Sequence, residues 1–184
     1  RFSKMNHRAF DRVYIGIDLG STAKTVFTIT GVTRGSQRAV CIDAMEMVGD
    51  FDYNDIVSEF NQWFLPYYSL YTTAIKGIYP DGADPLFIKT LRNNMVIKNV
   101  SVIASIKLLI KDRVVLKEQL LHQDRLLFTD KEGSQKMKDM LSKIKTDGKG
   151  GQLEESAIWN DYSDSFDYSI TPALHSLMSY KRRN

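Results

Sequence analysis

Three β-prone runs follow one another in the first fifty residues with only short connections between them. Residues 13–18, 25–30 and 39–47 are rich in valine, isoleucine and threonine, which favour strands. Leu19-Gly20-Ser21-Thr22 and Arg34-Gly35-Ser36 supply turn residues between the runs. Strands joined so directly pair with their chain neighbours in opposite directions. The sequence therefore predicts that the domain opens with an antiparallel meander of three strands.

Helical and extended patterns alternate after the meander. Asn54 or Asp55 is placed to cap a first helix that Pro66 should end, and Asp84-Pro85 is typical of the start of a second helix over 85–94. Further strands are predicted at 73–79, 99–103 and 125–129. Further helices are predicted within 104–123, with a break near 113–116, at 134–144, where the pattern is amphipathic, and at 162–180. Residues 145–155 are predicted to form a mobile loop. This order predicts an α/β fold, with a mixed sheet and helices on both of its faces.

Length and composition narrow the class of protein. The 184 residues fit a single domain spanning the whole chain. Cys41 is the only cysteine, which excludes an internal disulfide and a cysteine-rich zinc site, and no apolar run is long enough to cross a membrane. The first residue is an arginine, so we expect a fragment of a longer, non-secreted protein with flexible ends at 1–11 and 181–184. The net charge of +3 does not by itself indicate a nucleic-acid partner.

Three distant segments each place an aspartate where a strand ends or a helix begins. These residues are Asp18, Asp81 and Asp164, and such positions meet at one edge of an α/β sheet. Several carboxylates close together are unfavourable unless a cation neutralises them. Oxygen ligands favour Mg²⁺ or Mn²⁺ over zinc. The pattern therefore predicts a divalent metal site.

Neighbouring acids have other predicted roles. Asp84 directly precedes Pro85 and fits a helix cap, which leaves Asp81 for the metal. Asp161, Asp164 and Asp167 follow one another at intervals of three, which places them along one side of a helix. A solvated first turn explains one or two such acids but not all three.

These motifs together resemble the nuclease domain of viral terminase large subunits, a family of ribonuclease H-like fold. Ile15-Gly16-Ile17-Asp18 is similar to the family's first acidic motif, and Tyr79-Pro80-Asp81-Gly82-Ala83-Asp84-Pro85 to its second. Asp164-Ser165 with Tyr168 resembles the third, and 101–109 resembles a segment with a lysine and a serine before the next helix. The resemblance spans roughly residues 13 to 170.

The resemblance implies a metal-dependent endonuclease that cuts concatemeric double-stranded viral DNA during genome packaging, with two Mg²⁺ or Mn²⁺ ions. Asp18 would bridge the ions, Asp81 and Asp164 would each complete one site, and Asp161 would hold a metal-bound water or a ligand. Asp161 stands where the family often has histidine, and Ser165 where it has alanine. The implied partners are an upstream ATPase domain in the same chain, a portal protein and a small terminase subunit, in the cytoplasm of an infected bacterial cell and away from membranes.

A duplex substrate needs phosphate contacts around the acids. The basic residues placed for such contacts are Lys24, Lys107, Lys111, Arg113 and the glycine-flanked Lys149. Each of them also fits a solvated surface position.

Three alternatives remain open at the level of sequence. Gly16-Ile17-Asp18-Leu19-Gly20-Ser21-Thr22 also resembles the first phosphate loop of the sugar kinase, actin and heat-shock chaperone superfamily, although no second phosphate loop or adenosine motif follows. A Holliday-junction resolvase uses similar acids. A pseudo-nuclease that serves only as a docking module is the non-enzymatic alternative.

Overall fold

One mixed sheet forms the centre of the computed structural model, which describes residues 9–20, 24–143 and 157–179. Strands β1 (Phe10–Gly20), β2 (Lys24–Thr33) and β3 (Ala39–Val48) pair antiparallel in chain order. Strand β4 (Ile75–Pro80) pairs parallel to β1, and β5 (Leu126–Phe128) parallel to β3. The order is β4-β1-β2-β3-β5. The predicted meander and mixed sheet are confirmed.

Helices cover both faces of this sheet, as the sequence predicts. They are α1 (Tyr53–Tyr71), α2 (Pro85–Asn94), α3 (Ile110–His122), α4 (Glu132–Lys143), α5 (Ala157–Ile170) and α6 (Leu174–Met178). Helices α1 and α2 contribute to one hydrophobic cluster with the sheet, and α3 to α6 contribute to a second cluster on the other face. No helix in the described part of the chain has the length and apolar character to span a membrane.

Alternation along β1 separates the two faces. Val13, Ile15 and Ile17 are fully buried in the cluster with α1. Tyr14 belongs to the opposite cluster, and because side chains alternate along a strand, Asp18 points to that same side. The first acid of the predicted site therefore lies on the face that α5 covers.

Helix α5 packs unusually close to β1 and β2. A Cβ atom added at Gly16 would lie 2.0 Å from the carbonyl oxygen of Ser165, so only glycine fits there. Hydroxyl pairs complete the contact: Thr28 Oγ1 lies 2.8 Å from Ser165 Oγ, and Thr30 Oγ1 lies 2.7 Å from Ser169 Oγ. The close packing fixes α5, and hence Asp164, against the strand that carries Asp18.

Two predictions about α1 were wrong. Asp52, rather than Asn54 or Asp55, caps the helix, because its carboxylate accepts the backbone N–H groups of both of those residues. The helix also continues through the exposed Pro66 to Tyr71. The aromatic residues beyond the proline are buried in the core, and this packing compensates for the backbone hydrogen bond that proline cannot donate.

Other segment boundaries also differ from the predictions. Residues 104–109 are not helical, and α3 runs without a break through 113–116. The predicted strand at 99–103 is reduced to a parallel bridge between Val102 and Ile78. The predicted last helix is divided, because a 3-10 turn at Thr171–Ala173, which contains Pro172, separates α5 from α6. Within the predicted flexible end at 1–11, Phe10 is buried in β1. The predicted loop at 145–155 and the end at 181–184 lie outside the described residues.

Candidate active site

Strand register places the first two acids side by side. Strands β1 and β4 are parallel, with Ile17 opposite Pro80, and the backbone N–H of Asp81 donates to the Ile17 carbonyl at 2.9 Å. Asp18, which follows Ile17, and Asp81, which follows Pro80, therefore lie at the same edge of the sheet. Asp81 Oδ1 accepts the N–H of Ala83 at 2.9 Å, which holds the side chain in a tight turn.

Helix α5 brings two further acids to this edge. Asp161 and Asp164 are one turn apart on the helix and both are partly buried. Their charges, with that of Asp81, all act on Asp18. The structure thus brings together the four acids that the sequence singled out as metal ligands, although their catalytic role stays a prediction.

The cluster concentrates negative charge around Asp18, and Lys107 offsets only part of its effect. Asp18 is only 4% exposed, and burial, followed by the charges of Asp164, Asp161 and Asp81, raises its pKa from 3.8 to about 8. Burial also raises the pKa of Asp161, against the attraction of Lys24. Burial and the neighbouring acids thus outweigh the effect of Lys107 on the Asp18 carboxyl.

Two cations contact Asp164, one from the loop before α3 and one from α3 itself. Lys107 Nζ lies 2.7 Å from Asp164 Oδ2, and Arg113 donates to Asp164 Oδ1. Burial lowers the pKa of Lys107, but the hydrogen bond to Asp164 and the nearby acids raise it more strongly, so that it lies above its ordinary value. The ammonium group of Lys107 thus occupies a position among the acids where a cation is favourable.

Tyr168 is a site residue to which sequence reasoning gave no role. It lies one turn after Asp164, is almost fully buried, and its hydroxyl has no hydrogen-bond partner of ordinary geometry although it lies next to Asp81. Burial, followed by the charges of Asp18, Asp164 and Asp81, raises its pKa. The four-residue spacing from Asp164 was the available signal, because residues so spaced share a helix face.

Asp84 and Asp167 have partners outside the cluster. Asp84 caps α2, as predicted, by accepting the N–H of Phe87 at 2.8 Å, and it also accepts the hydroxyl of Tyr53. Asp167 is buried against α3, where Arg113 and Lys117 contact it. The causes of the Asp18 pKa shift are instead burial and the charges of Asp164, Asp161 and Asp81, opposed by Lys107.

The predicted DNA-contacting residues have different environments. Arg113 is 4% exposed and bound to acids, so its prediction as a phosphate contact was wrong: burial leaves its guanidinium inaccessible. Lys111 is exposed on α3 and Lys107 is half-exposed at the acids. Lys24 lies 3.3 Å from Glu46, which also pairs with Lys136. Lys149 lies outside the described residues.

The cluster fits divalent ions by its chemistry. Within residues 9–20, 24–143 and 157–179, no three acidic, histidine or cysteine side chains stand close enough to hold an ion directly, and Asp164 is paired with Lys107 and Arg113. The buried Asp18 carboxyl and the lysine among the acids nevertheless show that this edge favours a cation. Asp18, Asp81 and Asp164 are oxygen donors of the kind that Mg²⁺ and Mn²⁺ prefer.

Comparisons with known proteins identify the fold. No family model and no curated protein matches the sequence. Among solved structures, the large terminase of a thermophilic bacteriophage is 17% identical with a TM-score of 0.68 over 88% of this chain. The nuclease domain of the bacteriophage SPP1 large terminase, solved with bound Mn, is 17% identical with a TM-score of 0.62 over 90% of this chain and 89% of its own. The Mn-soaked terminase nuclease domain of human cytomegalovirus is 9% identical, with a TM-score of 0.58 over 95% of this chain and 86% of its own.

These likenesses confirm the predicted ribonuclease H-like fold and, at the level of the fold, the resemblance to terminase nuclease domains. The chain spans 39% of the length of the thermophilic bacteriophage's terminase but most of the length of the two isolated nuclease domains.

Proposed function

We propose that this chain is a metal-dependent endonuclease domain that cleaves double-stranded viral DNA during genome packaging. The premise is the fold that it shares with terminase nuclease domains, two of which were solved with manganese. The observation that carries the proposal is the buried Asp18 at the end of β1, with Asp81 at the same sheet edge and Asp161 and Asp164 brought beside it by α5.

Asp18, Asp81 and Asp164 would hold two Mg²⁺ or Mn²⁺ ions. When bound, such ions supply hydroxide for the attack on phosphorus and stabilise the leaving 3′ oxygen. Asp18, on which the charges of the other two acids both act, would be shared by both ions, while Asp81 and Asp164 would each complete one site. Asp161 would orient a water molecule at the edge of the cluster.

The groups that bind the substrate would be lysines around the acids. Lys107 contacts Asp164, Lys24 acts on Asp161, and Lys111 is exposed on α3. Lys136 joins Lys24: both ammonium groups lie within 6 Å of the centre of the Tyr162 ring and share the single carboxylate of Glu46. A phosphate of the duplex on this side of the site would meet both ammonium groups.

We propose further that the domain acts beside an ATPase domain of the same polypeptide. The large terminase of the thermophilic bacteriophage, of which this chain matches 40%, was solved in complex with ADP. A portal protein, a small terminase subunit and the cytoplasm of an infected bacterium follow from the resemblance alone and stay predictions.

Digestion of supercoiled plasmid tests the proposal. We expect the chain to linearise plasmid with Mn²⁺ or Mg²⁺ and not with EDTA, and Asp81→Asn to abolish cutting. Glu59→Gln is the matched control, because it removes one exposed negative charge from α1 on the opposite face of the sheet. If wild type and Asp81→Asn cut plasmid equally, the acids do not take part in cleavage and the proposal is wrong.

An ATP titration distinguishes the main alternative. A fragment of the sugar kinase, actin and chaperone superfamily would bind ATP and leave plasmid intact, whereas the nuclease would cut without nucleotide. Comparing plasmid with a synthetic four-way junction separates a packaging nuclease from a resolvase, which would prefer the junction. A pseudo-nuclease would cut neither DNA.

A further inference from the structure

A buried network of charges lies beneath Asp164. The Arg113 side chain is 5% exposed, and its Nη1 atom contacts both Asp164 and Asp167, the latter at 3.2 Å. Lys117 Nζ lies 2.9 Å from Asp167 Oδ2 and donates to Ser163 Oγ at 2.6 Å. Helix α3 thus presents two cations, one turn apart, to the acidic side of α5.

Stability does not account for this network. Removing charges from water is costly, and apolar side chains of similar size commonly serve as well in such positions. Moreover, Asp167 Oδ1 and Arg113 Nε are buried without hydrogen-bond partners, and such atoms retain their full desolvation cost. A role in the site is therefore a better explanation of the buried charges than folding alone.

Arg113 and Lys107 contact the Asp164 carboxylate from opposite sides. Arg113 reaches the carboxylate from the protein interior, and its second acid, Asp167, keeps it there. Lys107 is half-exposed and contacts the other oxygen of Asp164 from the solvent side. Arg113 is placed to orient Asp164, whereas Lys107 is placed to compete with an incoming cation.

We propose that Arg113 is a positioning residue that orients the Asp164 carboxylate for binding a divalent ion, and that Asp167 and Lys117 hold Arg113 in place. This inference rests on the proposed function, because it assumes that Asp164 is a metal ligand. Groups that orient a metal ligand typically contribute about 10-fold to 100-fold in metal affinity or activity.

Calorimetric titration with Mn²⁺, without DNA, tests the inference independently of cleavage. We expect about 10-fold weaker binding for Arg113→Met and partial recovery for Arg113→Lys, since lysine restores the charge without the planar guanidinium. Lys107→Met should bind more tightly than wild type, because it loses the competing ammonium group. Lys89→Met, which removes an exposed cation from α2 on the opposite face of the sheet, should bind Mn²⁺ as wild type does.

Binding by Arg113→Met that equals or exceeds that of wild type would overturn the inference, since Arg113 would then be only a repulsive charge. If Arg113→Met does not fold, the triple variant Arg113→Met, Lys117→Met, Asp167→Leu decides, because it removes the network as a whole. This variant should fold and still bind Mn²⁺ weakly, and wild-type affinity would refute the role. Failure of the wild type to bind Mn²⁺ would instead refute the proposed function, and the inference with it.

Discussion

Replacing Gly16 with alanine should displace α5 and thereby separate the acids. The added Cβ atom would lie 2.0 Å from the Ser165 carbonyl oxygen and 2.7 Å from the Ser169 nitrogen. Both are backbone atoms, so no side-chain rotation relieves the clash. Ordinary contact begins at 3.4 Å, and the helix must therefore retreat by about 1.4 Å, the difference between 3.4 and 2.0 Å. Overpacking of this kind costs about 1–3 kcal/mol of unfolding free energy, and a shift of about 1 Å at a catalytic group costs about 100-fold in rate.

Two measurements check this prediction. Urea unfolding gives the loss of stability, and Mn²⁺-dependent plasmid cleavage at a concentration that keeps the protein folded gives the loss of rate. Gly31→Ala is the control: its Cβ atom would lie 2.5 Å from the Phe10 ring, which costs stability without touching α5. Wild-type cleavage by folded Gly16→Ala would refute the argument that backbone contact between β1 and α5 sets the distance between the acids.

Three further predictions concern single residues. Because the folded state keeps a proton on Asp18 up to a pKa of about 8 and the unfolded chain loses it near 4, the metal-free protein should lose stability as pH rises between these values, by up to about 1.4 kcal/mol per pH unit from this group. Asp18→Asn should flatten that slope in thermal unfolding, and an unchanged slope would contradict the assignment. Asp84→Ala should cost about 1 kcal/mol through loss of the α2 cap and leave Mn²⁺ affinity in calorimetry unchanged, whereas lost binding would make Asp84 a ligand. Pro66→Ala should stabilise the exposed middle of α1 by about 1–3 kcal/mol in urea unfolding, and unchanged or lower stability would contradict the expected cost of proline in this helix.

Local signals predicted the parts of the fold that depend on neighbouring residues. Asp84-Pro85 marked the start of α2, which runs over Pro85–Asn94 as expected. The β-prone runs marked the meander, and the positions of Asp18 and Asp81 at strand ends predicted their convergence, because parallel strands end at a common edge. These features needed no knowledge of distant contacts.

Features set by tertiary packing were missed. Pro66 is a local stop signal, but burial of Tyr67 and Tyr71 extends α1 beyond it. Arg113 resembled a surface cation because its acidic partners lie about fifty residues further along the chain. The missed signal was its place with Leu116, Lys117 and Leu120 in one helical stripe, all four of them buried: a charged residue in such a stripe needs a buried partner.

The paired hydroxyls between β2 and α5 also determine how the helix can move. Two residues along a strand cover about 6.8 Å, and four residues along a helix cover about 6.0 Å, so Thr28 and Thr30 match Ser165 and Ser169 at a single setting. Sliding α5 by one residue would break both pairs at once, together with the contacts of Ser165 Oγ with the carbonyl oxygens of Gly16 and Val26. These contacts therefore fix the position of α5 along the sheet, so that a change in the position of the Asp164 carboxylate has to come from rotation of its side chain rather than from sliding of the helix.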